Sequence, residues 1–206
     1  MNDRIEKTIE FLKKVFDQSD YFKANPSSKE YRLEHSFRAC NIGKKIAEAE
    51  NMNVEAMMIA CLLHDVSYGE DFKCEDDWLN HGRRAAEISR PFLESLSLDA
   101  KCIDEICFGI AIHVDDEADF KGEKNAFTLT IGEADNIDRF DVYRIYESLQ
   151  YTKFDKLSLP EKSEKVSATL EKLMKLKTIK IATTTGKNLW LDRIDFYIQF
   201  YLRLQD

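Results

Sequence analysis

The sequence predicts an all-α fold, a compact single-domain helical bundle, and two observations carry that expectation. Apolar residues recur at spacings of three and four along most of the chain. Seven Gly and three Pro in 206 residues are also too few for the many tight turns of an all-β protein. The first helix, about 3–17, puts Ile5, Ile9, Leu12, Val15 and Phe16 on one face. Pro26 and Ser27-Ser28 then break the chain. Ser27 and Glu30 have capping-box spacing, so a long helix is expected over 28–49. Asn53 caps a third helix, to about 65, and the polar residues 66–77 read as a loop. A fourth helix starts near Trp78 and ends or kinks before Pro91, which cannot donate a backbone hydrogen bond. Asp99 opens a fifth, to about 114. The acidic run 115–119 and Gly122 make another loop. Helices follow at 127–149, 160–177 and 188–204, with Pro160 suited to a first turn. Residues 179–187 are the weakest candidate for regular structure and could equally be extended. No linker suggests a second domain, so 1–206 is taken as one unit, with a core at 28–145 and C-terminal helices over 146–206 packing on it.

Composition narrows the class further. The chain is 44% hydrophobic, enough for a core, and carries 33% charged residues with a net charge of −8. That excludes disorder as the main state and argues against general nucleic-acid binding, which needs surplus Lys and Arg. No stretch reaches the ~18 apolar residues of a membrane span, and no signal peptide is evident. Five irregularly spaced Cys read as reduced thiols rather than a disulfide framework. A cytoplasmic protein is expected. The aromatic stripe Trp190, Ile194, Tyr197, Tyr201 reads as core, with a homodimer interface as the alternative.

The four histidines carry the chemistry. His35 aligns with Ala39, Ile42 and Ile46; His64 with Val54, Met57 and Cys61; His81 with Ala85, Ile88 and Phe92; His113 with Ile103, Ile106 and Ile110. Each therefore lies on the inward stripe of its helix. One such residue is most simply a core His bonded to a carbonyl, but four of four point to a shared purpose. Two carboxylates join them. Asp65 extends the line of Met58, Cys61 and Leu62, where an unpaired anion costs several kcal/mol. It also opposes the helix dipole by ~0.3–1 kcal/mol. A buried Arg or a helix cap could offset it. A bound cation does so better, because it also explains the neighbouring His. With nothing else offsetting the anion, Asp65→Ala would raise the stability of the metal-free chain. Asp135, four residues after Ile131, repeats the pattern. Imidazoles with carboxylates suit Mn, Fe, Co, Ni or Zn rather than Ca.

The ordered set His35, His64-Asp65, His81, His113 and Asp135 resembles the HD-domain superfamily of metal-dependent phosphohydrolases over about 28–145. Ala60-Cys61-Leu62-Leu63-His64-Asp65-Val66 is the most specific element. His35-Ser36-Phe37-Arg38 and Glu133-Ala134-Asp135-Asn136-Ile137-Asp138 resemble the first and last motifs. The resemblance implies one metal on His35, His64, Asp65 and Asp135, and a second on His81 and His113 with Asp65 bridging. It implies hydrolysis of a nucleotide or other small phosphoester or phosphoanhydride through a metal-bound hydroxide. Asp138 would orient a ligand or water, and Arg38 and Arg139 would bind phosphate. Arg83 and Arg84 read better as surface ion pairs. The loop Val66-Ser67-Tyr68-Gly69 lacks the Lys of related phosphodiesterases, and no Gly-Tyr-Pro signature surrounds His113, which argues against cyclic-di-GMP chemistry. Two alternatives stay open: a dinuclear iron oxygenase using the same ligands, and a non-catalytic domain stabilised by metal.

Overall fold

The computed structural model describes residues 3–140 and 142–204, and among these it holds ten α-helices and no strand. The helices fall into two compact units, Met1–Asp135 and Asn136–Asp206, where the sequence reading took a single domain with its core ending near 145. No helix among the described residues is long and apolar enough to cross a membrane.

The first unit contains α1 (Asp3–Gln18), α2 (Asp20–Ala24), α3 (Pro26–Ala49), α4 (Val54–Leu63), α5 (Glu75–Ser95), α6 (Ala100–Ile112) and the start of α7 (Ala126–Asp138). Its centre is α4. Ala56, Met57 and all residues from Ile59 to Leu63 are buried, and only Val54, Glu55 and Met58 are half-buried, so most of this helix lies in the core. The helices α1, α3 and α6 pack on it, and α5 packs on α6. The last turn of α4 therefore ends inside the unit, and His64-Asp65 follows it directly.

Several boundaries differ from expectation for identifiable reasons. Pro26 occupies the first turn of α3, so that helix starts at Pro26 and the Ser27/Glu30 capping box is not used. Helix α5 runs through Pro91 to Ser95. The carbonyl that Pro91 leaves without a partner belongs to Glu87, an exposed residue, where water can replace the lost bond. Beyond it, Leu93 is buried and Phe92 stacks on Phe11 with ring centroids 4.2 Å apart, which holds the final turn. The same helix starts at Glu75 rather than Trp78, because Asp77 reaches back to the backbone N–H of Cys74. A short 3-10 turn, Val66–Gly69, orders the start of the expected loop. Asn53 and Asp99 cap α4 and α6 as their side chains suggest.

The expected helix 127–149 divides into α7, which starts in the first unit, and α8 (Val142–Tyr151) in the second, where α9 (Leu159–Leu176) and α10 (Thr184–Arg203) follow. Thr183 accepts from the Gly186 N–H and caps α10, which turns the ambiguous stretch 179–187 into a helix start. Trp190, Ile194, Tyr197 and Tyr201 are buried, and the Trp190 indole donates to the Leu176 carbonyl at 3.0 Å.

Candidate metal centre

Five helices or their ends bring the four His and two Asp together. His35 comes from the third turn of α3, and His64 caps the C-terminus of α4. His81 lies in α5, His113 caps the C-terminus of α6, and Asp135 lies in the last turn of α7. All six are buried, at most 8% exposed. The donor atoms of His35, His64 and Asp135 lie within 4.8 Å of one another, as do those of His64, Asp65 and His113.

Close helix packing sets this geometry. A Cβ on Gly82 would stand 2.7 Å from the Ala111 carbonyl oxygen and 3.0 Å from His113 Nδ1, so only Gly lets α5 approach α6 and bring His81 beside His113. Gly132 likewise brings α7 against the His113 backbone. Ser67 donates to the His81 carbonyl at 2.8 Å and ties the 3-10 turn after Asp65 to α5. Gly82→Ala is expected to cost about 1–3 kcal/mol of stability by overpacking. It should also weaken any metal held by His81 and His113, whereas the His35 side keeps its geometry. Thermal melting and metal analysis of the variant check both effects.

The ring orientations follow from the backbone. His64 Nδ1 meets the Cys61 carbonyl at 2.7 Å, His81 Nδ1 the Trp78 carbonyl at 2.6 Å, and His113 Nδ1 the Ile110 carbonyl at 2.6 Å. A carbonyl oxygen only accepts, so each Nδ1 carries the hydrogen and donates it. In the neutral ring Nε2 is then a bare lone pair turned inward. His81 and His113 Nε2 face each other at 3.1 Å, and His35 and His64 Nε2 at 3.2 Å. For His81 and His113, two lone pairs at that distance repel unless a cation lies between them. Donors held ~2.1 Å from one ion stand about 3.0–3.4 Å apart, so the spacing fits a divalent metal. The hydrogen bonds from Nδ1 to carbonyls are also the support such ligands need.

Asp65 separates the two pairs. Its Oδ2 lies 3.5 Å from both His35 and His64 Nε2; its Oδ1 lies 3.3 Å from His81 and 3.6 Å from His113. Asp135 Oδ1 is 3.1 Å from His35 Nε2 and 3.9 Å from His64 Nε2. Burial pushes the His64 imidazole down to about 4 against the upward pull of Asp65, which leaves it neutral near pH 7. Burial alone would raise the Asp65 carboxyl. The Arg32 guanidinium opposes this, and the carboxyl lies well below the usual range, so it is an anion.

Arg32 is the residue that sequence reasoning missed. Its Nη1 donates to Asp65 Oδ2 at 2.5 Å. The buried anion therefore has a protein counter-ion, and the expectation that Asp65→Ala would raise metal-free stability is corrected. Arg38 pairs with Glu34 at 3.6 Å on its own helix. Arg83 grips both oxygens of Asp115 at 3.0 and 3.1 Å in a part-buried pair, and Arg84 pairs with Glu70 and Glu87 on the exposed side of α5. Asp138 is fully buried and Arg139 exposed, and both belong to the second unit.

Comparison with known proteins accords with this arrangement. The HD domain family matches residues 32–142, more than half of the chain, and the protein belongs to that family. HD domains bind divalent metals, and the buried His and Asp groups here are able to hold one. Among solved structures, the fold is similar to a crystal structure described as a predicted HD superfamily hydrolase from an uncultured Thermotogales bacterium. The two share 18% identity at a TM-score of 0.67, over 97% of this chain and 90% of that one. No curated protein matches.

Proposed function

We propose that this protein is a metal-dependent phosphohydrolase that acts on a small phosphorylated substrate, a nucleotide being the leading class. In this reading Asp65 would help hold two divalent ions, one beside His35, His64 and Asp135 and one beside His81 and His113. One observation carries it: each oxygen of the Asp65 carboxylate faces a different pair of imidazoles. Ions ~3.5–4 Å apart need such a shared anion. A single ion on the His35, His64 and Asp135 side would leave the facing lone pairs of His81 and His113 without a cation. When bound, the ions would supply Lewis acidity toward a phosphoryl group and an acidified water.

The chain's own residues supply the rest. Asp65 and Asp135 bring negative charge to a buried site where metal charge would otherwise be costly. The carbonyls of Cys61, Trp78 and Ile110 hold three rings by Nδ1 and so turn each Nε2 inward as the nitrogen a metal would take. The hydrolase description of the similar crystal structure supports the same chemistry.

The test starts with metal analysis of protein purified without added metal. A panel of nucleotides and phosphomonoesters follows, with Mn, Co or Ni and then with chelator. Phosphate release that requires metal and disappears with chelator is the expected result. Bound iron with an oxygen-dependent spectrum and no phosphate release would assign the iron oxygenase instead. Bound metal without turnover under any of these conditions would leave it a structural element.

A further inference from the structure

Arg32 does more than neutralise Asp65, and its surroundings say what else it holds. The guanidinium lies face-on over the Tyr68 ring, its Cζ 3.4 Å from the centroid, with the Tyr31 ring 5.4 Å away on its own helix. That stacking fixes the plane of the group. One N–H meets Asp65 Oδ2, and the other four have no acceptor among the described residues. Asp65 is sealed, with its side chain 3% exposed, whereas that of Arg32 is 16% exposed. The cation is thus the outward neighbour of the shared carboxylate, with spare donors at the edge of the centre.

A counter-ion alone does not need this arrangement. Arg83 and Arg84 show what satisfied pairs look like in this chain, each with several donors engaged on carboxylates. Arg32 spends one donor of five. Its fork matches the paired oxygens of a phosphoryl group. Two divalent ions beside two carboxylates and one guanidinium would also leave a positive surplus, which an anion from solution would balance.

We propose that Arg32 is a substrate-binding residue whose free N–H groups hold a phosphoryl oxygen of the ligand beside Asp65. This rests on the phosphohydrolase reading, and it places the phosphate-binding role on Arg32 rather than on Arg38. The occupant is a phosphate group carrying at least one negative charge and two oxygens open to the fork.

The probe is inorganic phosphate, titrated calorimetrically into Mn-loaded wild type, Arg32→Gln and Arg32→Lys, with metal counted per chain in each. Arg32→Gln is expected to keep its metal while phosphate affinity falls about 10–100-fold, the scale of a charge-assisted hydrogen bond. Arg32→Lys, which keeps the charge and loses the fork, should fall between, and turnover in both should show a raised KM. Should Arg32→Gln fold poorly, Arg32→Lys against wild type carries the same comparison. Unchanged phosphate affinity with lowered metal content would overturn the proposal and make Arg32 only a support for Asp65. Wild type that binds metal but no phosphate at about 10 mM would reject the phosphohydrolase reading, and this proposal with it.

Discussion

Replacing Asp65 with Ala is expected to empty both metal positions and lower turnover by about 10³-fold or more. No other described side chain faces both imidazole pairs, with oxygens 3.5 Å from His35 and His64 and 3.3–3.6 Å from His81 and His113. Losing even a supporting partner of a metal ligand costs ~10–100-fold in affinity, so losing a shared anionic ligand should cost more than ~100-fold at each position. The chelated variant should also be less stable than chelated wild type. Arg32 would keep its stacking on Tyr68 but lose its one charged acceptor. Stripping one partner from a fully buried pair costs ~3–5 kcal/mol. Arg32 reaches some water, so about 1–3 kcal/mol is expected here. Elemental analysis and denaturant melts of both proteins measure these effects. Wild-type metal content in the variant would remove Asp65 from the centre, and a gain in chelated stability would show that Arg32 fails to offset the anion.

His81→Ala should separate one ion from two. Wild type should carry two metals per chain and the variant one, with turnover down by about 10²-fold or more. His35, His64, Asp65 and Asp135 all survive the change and form a complete four-residue set on one side of the carboxylate. The fold should persist, because the lost ring contributes one hydrogen bond to the Trp78 carbonyl and an edge contact to Tyr68. Those are worth a few tenths to ~3 kcal/mol. If His81 is only a core residue, that stability cost appears without any change in metal content. One ion in wild type and in both variants would reject the shared-carboxylate arrangement.

The reasons some of this was legible in sequence, and some not, are local and tertiary respectively. Helix offsets fix which face a side chain takes, so four His on apolar stripes could be read as inward-pointing before any coordinates. Asn53, Asp99 and Pro160 act within one turn of their own backbone, and they mark helix starts in the structure as in the sequence. The Ser27/Glu30 cap failed because Pro26 competes for the same turn and starts the helix first. Pro91 failed because the cost of a missing N–H depends on whether its carbonyl partner reaches water, which only the fold decides. Arg32 was missed because its acceptor lies on another helix end. Yet a local signal existed. Among the Arg residues within 28–145, Arg32 alone has no Asp or Glu three or four positions away. Arg38, chosen for its spacing from His35, has Glu34 one turn back and pairs with it.

The donors also span a hundred residues, from His35 in α3 to Asp135 in α7. No short piece of unfolded chain can gather them, so an ion that binds this centre binds the native state alone. Folding and metal uptake are then one linked equilibrium. Each ion present at a hundred times its dissociation constant deepens the native well by ~2.7 kcal/mol through mass action. Against the ~5–15 kcal/mol that separates a typical domain from its unfolded ensemble, that is a large share. With metal bound, the free metal concentration around the protein would set part of its stability, whether or not substrate is present.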